Sequence, residues 1–270
     1  MQYYIFHGKQ LLLDSNGRVP EDMGNLDDMR EFSLADGVRC MAASVQESVD
    51  GLCGIDLRAS YDVLTQVDYL RAGKAAEIVY WNEHHRYCGS CGAELQWHTE
   101  LSKWCPRCEQ ELWPQLSPAI IVLIYRGDEI LLVRSRSFKR SYYGLVAGFV
   151  ELGESLEECV RREIREETNL EVDCVRYFDS QPWPYPQGLM VGFTACYKSG
   201  DLALQDEELS GGGWFNIDQL PEIPKPLSMA RKLIDYYVAQ RKRNETNDEE
   251  SSVGNMADDV CSGCSGQSRV

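Results

Sequence analysis

The chain has 270 residues, 43% of them hydrophobic, enough to bury one main core and a smaller one. Its formal charge of −16 argues against a nonspecific nucleic-acid surface, because grip on a phosphate backbone rests on lysine and arginine. No apolar run reaches the roughly 18 residues of a membrane helix, and eleven cysteines with no secretory leader imply a reducing, cytoplasmic setting. There Cys40, Cys53, Cys159, Cys174 and Cys196 read as small buried or half-buried side chains.

Residues 1–83 open with YYIF and QLLLD, a hairpin about His7-Gly8-Lys9, and close in a helix-like run from Ala75 to Asn82. This predicts a small α/β domain, and it carries no chemical motif. Residues 84–115 hold Cys88-x2-Cys91, thirteen intervening residues, then Cys105-x2-Cys108. Two such pairs fit a four-cysteine zinc ribbon, each pair in a tight knuckle, with all four positions of the ion filled by protein. Disulfides are the competing reading, and the knuckle spacing disfavours them. His84, His85 and His98 are then surface or packing residues. Trp97, Trp104 and Trp113 suit either an interface with a second chain or the ribbon's own interior.

From 116 to 241 the pattern changes. Pro114-Gln115-Leu116-Ser117-Pro118 leads into a strand AIIVLIY, a turn at Arg126-Gly127-Asp128 and a second strand from Glu129 to Val133. In GFVELGESLEECVRREIREETNL, Ser155 and Glu158 form a capping box, Leu156, Val160 and Ile164 make an apolar stripe, and Asn169 suits a left-handed cap. Glu163, Glu166 and Glu167 therefore share a face, where like charges repel by roughly 1 kcal/mol per pair even at water-like dielectric. A hard divalent ion such as Mg²⁺ would compensate them and still reach substrate phosphate. A solvated acidic face flanked by Arg161, Arg162 and Arg165 is the plain alternative.

Ser180 to Met190, SQPWPYPQGLM, reads as a rigid loop presenting ring faces, a plausible wall for a base. Glu208 lies in an acidic run with Asp206 and Glu207. Ser228 opens an amphipathic helix through Leu233, Ile234 and Tyr237. Residues 242–270 are acidic and poor in apolar residues, which predicts a disordered tail; Cys261-x2-Cys264 within it lacks a second pair.

Gly148, Glu154, Arg162, Glu163, Ile164, Glu166, Glu167 and Leu170 together resemble the Nudix box, with Asn169 where the family usually has glycine. The zinc ribbon ahead of it, and the similarity of SQPWPYP to the SQPWPFP signature, resemble the NADH pyrophosphatases, some of which also remove NAD caps from RNA. Tyr185 stands for phenylalanine, and Gly188 for the usual serine. The resemblance implies an α+β fold in which a Nudix α/β/α sandwich with a mixed sheet follows the ribbon. It implies hydrolysis of NAD(H) to nicotinamide mononucleotide and AMP with Mg²⁺ or Mn²⁺ held by Glu163, Glu166, Glu167, Glu208 and the Ala147 carbonyl. Arg162 and Glu154 would orient that network, with Glu163 or Glu208 as general base. Phe149, Gln181, Trp183, Tyr185, Gly188 and Ala230 would contact substrate, and the protein would be a homodimer. Two other readings stay open: hydrolysis of ADP-ribose or another dinucleotide, and a non-catalytic zinc-ribbon binding protein.

Overall fold

The architecture is that of a computed structural model, which describes residues 1–24, 26–136 and 142–258, with side chains described up to residue 244. The chain divides into two compact units, one formed by Met1–Ala119 with Gln181–Met190, the other by Ile120–Ser180 and the chain from Val191 on.

In the first unit, strands β1 (Gln2–His7) and β2 (Gln10–Leu13) form the hairpin expected at His7-Gly8-Lys9. With β3 (Arg30–Phe32), β4 (Cys40–Val45) and β5 (Cys53–Asp56) they make a sheet of order β3-β4-β1-β2-β5, in which β1 and β4 run parallel. Helix α1 (Gln66–His84) covers it, burying Tyr69, Ala72, Ala75, Ile78, Val79 and Trp81. It begins nine residues before the run expected from Ala75, because its buried residues include Arg71 and Gly73, which blur the apolar stripe. Thr65 caps it by accepting the Asp68 amide.

The ribbon follows as β6 (Gln96–Trp97), β7 (Lys103–Cys105) and β8 (Gln110–Leu112), a three-stranded antiparallel sheet. So little chain has almost no apolar core of its own: Leu95 is its one buried aliphatic side chain, beside Cys88 and Cys105. Arg30 lies 4.0 Å from the Trp97 ring centroid and His98 5.6 Å from that of Trp104, so of the three tryptophans only Trp113, 50% exposed, offers a bare face. His84 stacks on Tyr80 and His85 lies tilted against Trp81, as packing residues would.

The second unit is built on β9 (Ser117–Arg126), β10 (Glu129–Ser135), β11 (Val146–Phe149), α2 (Leu156–Thr168), β12 (Glu171–Trp183), β13 (Gly188–Ser199), β14 (Leu209–Asn216) and α3 (Met229–Asp258). The strands form one sheet of order β12-β13-β9-β10-β14, with β11 paired to β9. Its core is the continuous apolar run Ile120–Ile124 and Ile130–Val133, nearly fully buried. Each buried side chain of this size is worth about 1.5–3 kcal/mol.

Three expectations need correction. The segment Ser180 to Met190 is not a loop throughout: it is the ends of the long hairpin strands β12 and β13 with the turn between them, and the tip belongs to the first unit, not to the domain expected over 116–241. The ribbon and the N-terminal domain, expected as separate over 84–115 and 1–83, pack as one unit. Helix α3 runs to Asp258, so the tail expected from 242 begins as helix. No glycine or proline interrupts 239–250, and extending an existing helix costs far less than starting one. Residues 259–270, with Cys261 and Cys264, lie outside the described residues.

Candidate active site and structural metal centre

Helix α2 holds the acidic cluster because its ends are fixed. The Ser155 hydroxyl accepts the Glu158 amide while the Glu158 carboxylate accepts the Ser155 amide, a complete capping box. At the far end Asn169 takes φ 59°, and its side-chain amide donates to the Asp201 carbonyl at 3.1 Å. Cys159, Val160, Ile164 and Thr168 are buried on the inner face, which sets the rotation of the helix.

That rotation brings Glu163 against β11. A Cβ at Gly148 would lie 1.9 Å from the Glu163 carboxyl carbon, so only a bare backbone leaves Glu163 its place. Arg162 spreads its guanidinium over three carboxylates. It grips Glu154 with both Nε and Nη2, at 3.0 and 2.7 Å, and reaches Glu163 at 2.9 Å and Glu166 at 3.0 Å through Nη1. It also donates to the Phe149 carbonyl at 3.0 Å. This ties helix to strand.

The electrostatics sort the acids into two kinds. The hydrogen bond from Arg162, then the Glu151 amide, holds the Glu154 carboxyl down to about 2. Burial first, then the charges of Glu163, Glu208 and Glu166, pushes the Glu167 carboxyl up to about 8. Burial also raises Glu163, with Glu166 and Glu208 adding repulsion against the pull of Arg162. Glu208, more than forty positions away in sequence, is thus part of the same field. Its placement comes from Arg136, whose backbone amide donates to the Glu208 carbonyl at 2.8 Å where β14 begins beside β10. Nothing in the spacing of Arg136 marks it.

The ribbon cysteines gather far more tightly. Cys88 and Cys108 sulfurs are 3.8 Å apart, those of Cys91 and Cys105 3.5 Å, and all four lie within 4.8 Å of one another. Ligands about 2.3 Å from a tetrahedral zinc sit about 3.8 Å apart, so the set fits that ion. Amides of Ser90 and Cys91 pull the Cys88 thiol down to about 6, favouring a thiolate there, while a hydrogen bond with Cys91 and then burial push Cys108 up to about 12. Among the described residues this is the one group of three or more metal-ligating residues so compact. The glutamates stand wider, with Glu167 buried and the Glu166 side chain 55% exposed.

A family model for the NUDIX domain matches residues 115–237. The NAD-capped RNA hydrolase NudC of Pseudomonas putida (strain GB-1) is 39% identical over 246 residues, covering 85% of this chain and 87% of that protein. The chain belongs to the Nudix family. NudC of Pseudomonas aeruginosa (strain LESB58) is 48% identical over 170 residues, 63% of this chain; the match spans 61% of that relative's own length. A NUDIX hydrolase crystal structure from Nitrosomonas europaea shares the fold, with TM-score 0.50 and 21% identity over 58% of this chain and 93% of that one.

In this Nudix chain the residues expected at the substrate are placed unequally. Phe149, next to Gly148 on β11, is 66% exposed, and Ala147 is exposed beside it. Ala230 is buried in the first turn of α3, where the Ser228 hydroxyl accepts the Arg231 amide at 3.3 Å. Gln181 is buried, while Trp183, Tyr185 and Gly188 are half-buried on the hairpin tip. No helix among the described residues is long and apolar enough to cross a membrane.

Proposed function

We propose that this protein hydrolyses the pyrophosphate bond of NAD(H), giving nicotinamide mononucleotide and AMP, and that the same reaction removes NAD caps from the 5′ end of RNA. One observation carries the reading: desolvated glutamates on α2, joined by Glu208, held in one field with a single arginine to order them. The names of the relatives support the substrate.

Hard carboxylate oxygens sharing one field, with Glu167 raised by burial and then by its acidic neighbours, are a donor set that Mg²⁺ or Mn²⁺ fits. Glu163, Glu166, Glu167, Glu208 and the Ala147 carbonyl would hold such ions. When bound they would neutralise the phosphate oxygens and increase the acidity of water. The chain does the rest. Arg162 orients Glu163 and Glu166, and Glu154, anchored at two points, fixes Arg162. Glu163 or Glu208 would accept the proton of the attacking water as its oxygen bonds to phosphorus and the bridging P–O bond breaks. Phe149, Gln181, Trp183, Tyr185, Gly188 and Ala230 would contact the nucleotide. Zn²⁺ on Cys88, Cys91, Cys105 and Cys108 would be structural.

We also place the protein in the cytoplasm as a homodimer. Nine described cysteines are free thiols, which a reducing compartment maintains, and exposed Trp113 is an apolar face that a second copy could cover. The test of the function is product analysis by mass spectrometry on NADH, ADP-ribose and NAD-capped RNA with Mg²⁺. The reading requires nicotinamide mononucleotide from NADH and 5′-monophosphate RNA from the capped substrate. Turnover of ADP-ribose alone would replace it with the broader dinucleotide reading, and no turnover at all with the binding-protein one.

A further inference from the structure

The hairpin tip Gln181–Met190 belongs with the N-terminal residues rather than with the sheet its strands help build. Residues 1–83, bare of any chemical motif, therefore belong to the unit that holds the segment proposed to wall the substrate. It does so with specific side chains. The Arg58 guanidinium lies over two tip rings, 4.4 Å from the Tyr185 centroid and 5.3 Å from that of Trp183. Arg58 makes no ion pair among the described residues, and the amides of Arg58 and Ala59 both donate to the Asp56 carboxylate, which fixes the turn that carries it. The Tyr185 hydroxyl shares a hydrogen bond with Tyr69, a residue only 6% exposed and itself set edge-on against Tyr61. Tyr185 packs on the core of this unit. Gly73 on α1 makes room for Pro184, where an added Cβ would stand 3.2 Å from the proline ring.

Trp183 is therefore confined on several sides. Tyr185 meets it edge to face at 5.1 Å, Arg58 covers it, and Gly188 opposes it so closely that a Cβ there would lie 2.9 Å from the Trp183 carbonyl oxygen. A large ring pinned in this way can receive a flat ligand without first being ordered, which removes an entropic cost from binding.

We propose that Arg58 and Tyr69 are positioning residues that preset Trp183 and Tyr185, and so determine how tightly the nicotinamide half of the substrate is held. This rests on the reading that those rings touch substrate. Arg58 lies over the rings of Trp183 and Tyr185, and in this proposal it acts through them. The contribution should appear in KM for substrates with nicotinamide and leave kcat alone.

The experiment measures KM and kcat for NADH and for ADP-ribose, which lacks nicotinamide, on the full chain with Mg²⁺. The variants are Arg58→Met, Arg58→Lys, Tyr69→Phe and, as reference, Trp183→Ala. Arg58→Met should raise KM for NADH about three- to tenfold, the range a cation over aromatic rings supplies. Its kcat should change less than about twofold, since the reacting centre is untouched. Arg58→Lys should recover part of the loss, because it restores the charge and not the planar stack. Tyr69→Phe keeps the ring and loses one hydrogen bond, so its effect should be smaller. Constants for ADP-ribose should hold in the Arg58 and Tyr69 variants. If Trp183→Ala raises KM for NADH and neither Arg58→Met nor Tyr69→Phe does, the positioning role is wrong and the substrate wall survives. If Trp183→Ala also leaves it unchanged, both ideas fall. An equal rise for NADH and ADP-ribose, or a fall in kcat, would show general structural damage and overturn the proposal.

Discussion

Four thiols and four carboxylates occupy different units of this chain, and they are built on opposite principles. The cysteine sulfurs lie within 4.8 Å of one another, enough to fill four tetrahedral positions, and two sit on residues that are almost wholly buried. The glutamates stand apart, one buried and one half in solvent, with an arginine bonded among them. A closed set can only hold an ion, whereas an open one leaves ligand positions for water and substrate. The difference teaches what each contributes: the first replaces a missing apolar core, and the second offers negative charge to a cation that still has positions left for water and phosphate.

The sharpest way to break that contrast is to strip metal from the closed site. Zinc binding in small four-ligand peptides is worth about 10–16 kcal/mol, and this ribbon has little else to hold it. Purified protein should carry one zinc per chain by elemental analysis, and Cys105→Ser or a strong chelator should unfold the ribbon, seen as lost protection of β6–β8 in hydrogen exchange. Full protection without zinc would remove the structural role.

Glu167→Gln should do the reverse, costing function and not fold. Turnover of NADH should fall by roughly 10²–10³-fold, the scale of a preorganised electrostatic group. The melting temperature should hold or rise, because a neutral amide removes the burial cost, and then the repulsion, that push Glu167 up to about 8. Retained activity would end the assignment of Glu167.

Gly148→Ala tests the placement of an acid without touching it. The added methyl must displace Glu163, since it would fall 1.9 Å from the carboxyl carbon. A displacement of this size costs about 10²-fold in kcat/KM. Wild-type rates in that variant would mean Glu163 can move freely, and the precision argued for β11 would be unfounded.

Gly188→Ser should have the smallest effect. Its Cβ would meet the Trp183 carbonyl at 2.9 Å, so the tip must shift. The ratio of kcat/KM for NADH over ADP-ribose should change several-fold, about 1 kcal/mol of selectivity. An unchanged ratio would show that position 188 has no part in recognising nicotinamide.

How much of this was legible depended on whether the cause is local. The capping box of Ser155 and Glu158, the left-handed Asn169 and the stripe through Val160 and Ile164 act within one helix, and α2 runs where they predict, Leu156–Thr168. The knuckle spacing located the ribbon for the same reason. Helix α1 was only half visible because Arg71 and Gly73 are buried for reasons that lie in neighbouring elements. Glu208 in its acidic run could not be distinguished from Asp206 or Glu207 without the family pattern; what selects it is strand pairing at Arg136. Membership of the 181–190 tip in the N-terminal unit depends on Arg58, Tyr69 and Gly73 meeting residues more than a hundred positions away. No periodicity encodes that.

The central claim is that the α2 carboxylates and Glu208 converge on a cation. Anomalous diffraction from a crystal soaked in manganese chloride tests it directly. The account predicts a manganese peak within about 2.1 Å of oxygens from at least two of Glu163, Glu166, Glu167 and Glu208, separate from a zinc peak among the four cysteines. A zinc peak alone, with the glutamates directed apart and no manganese near them, would contradict it.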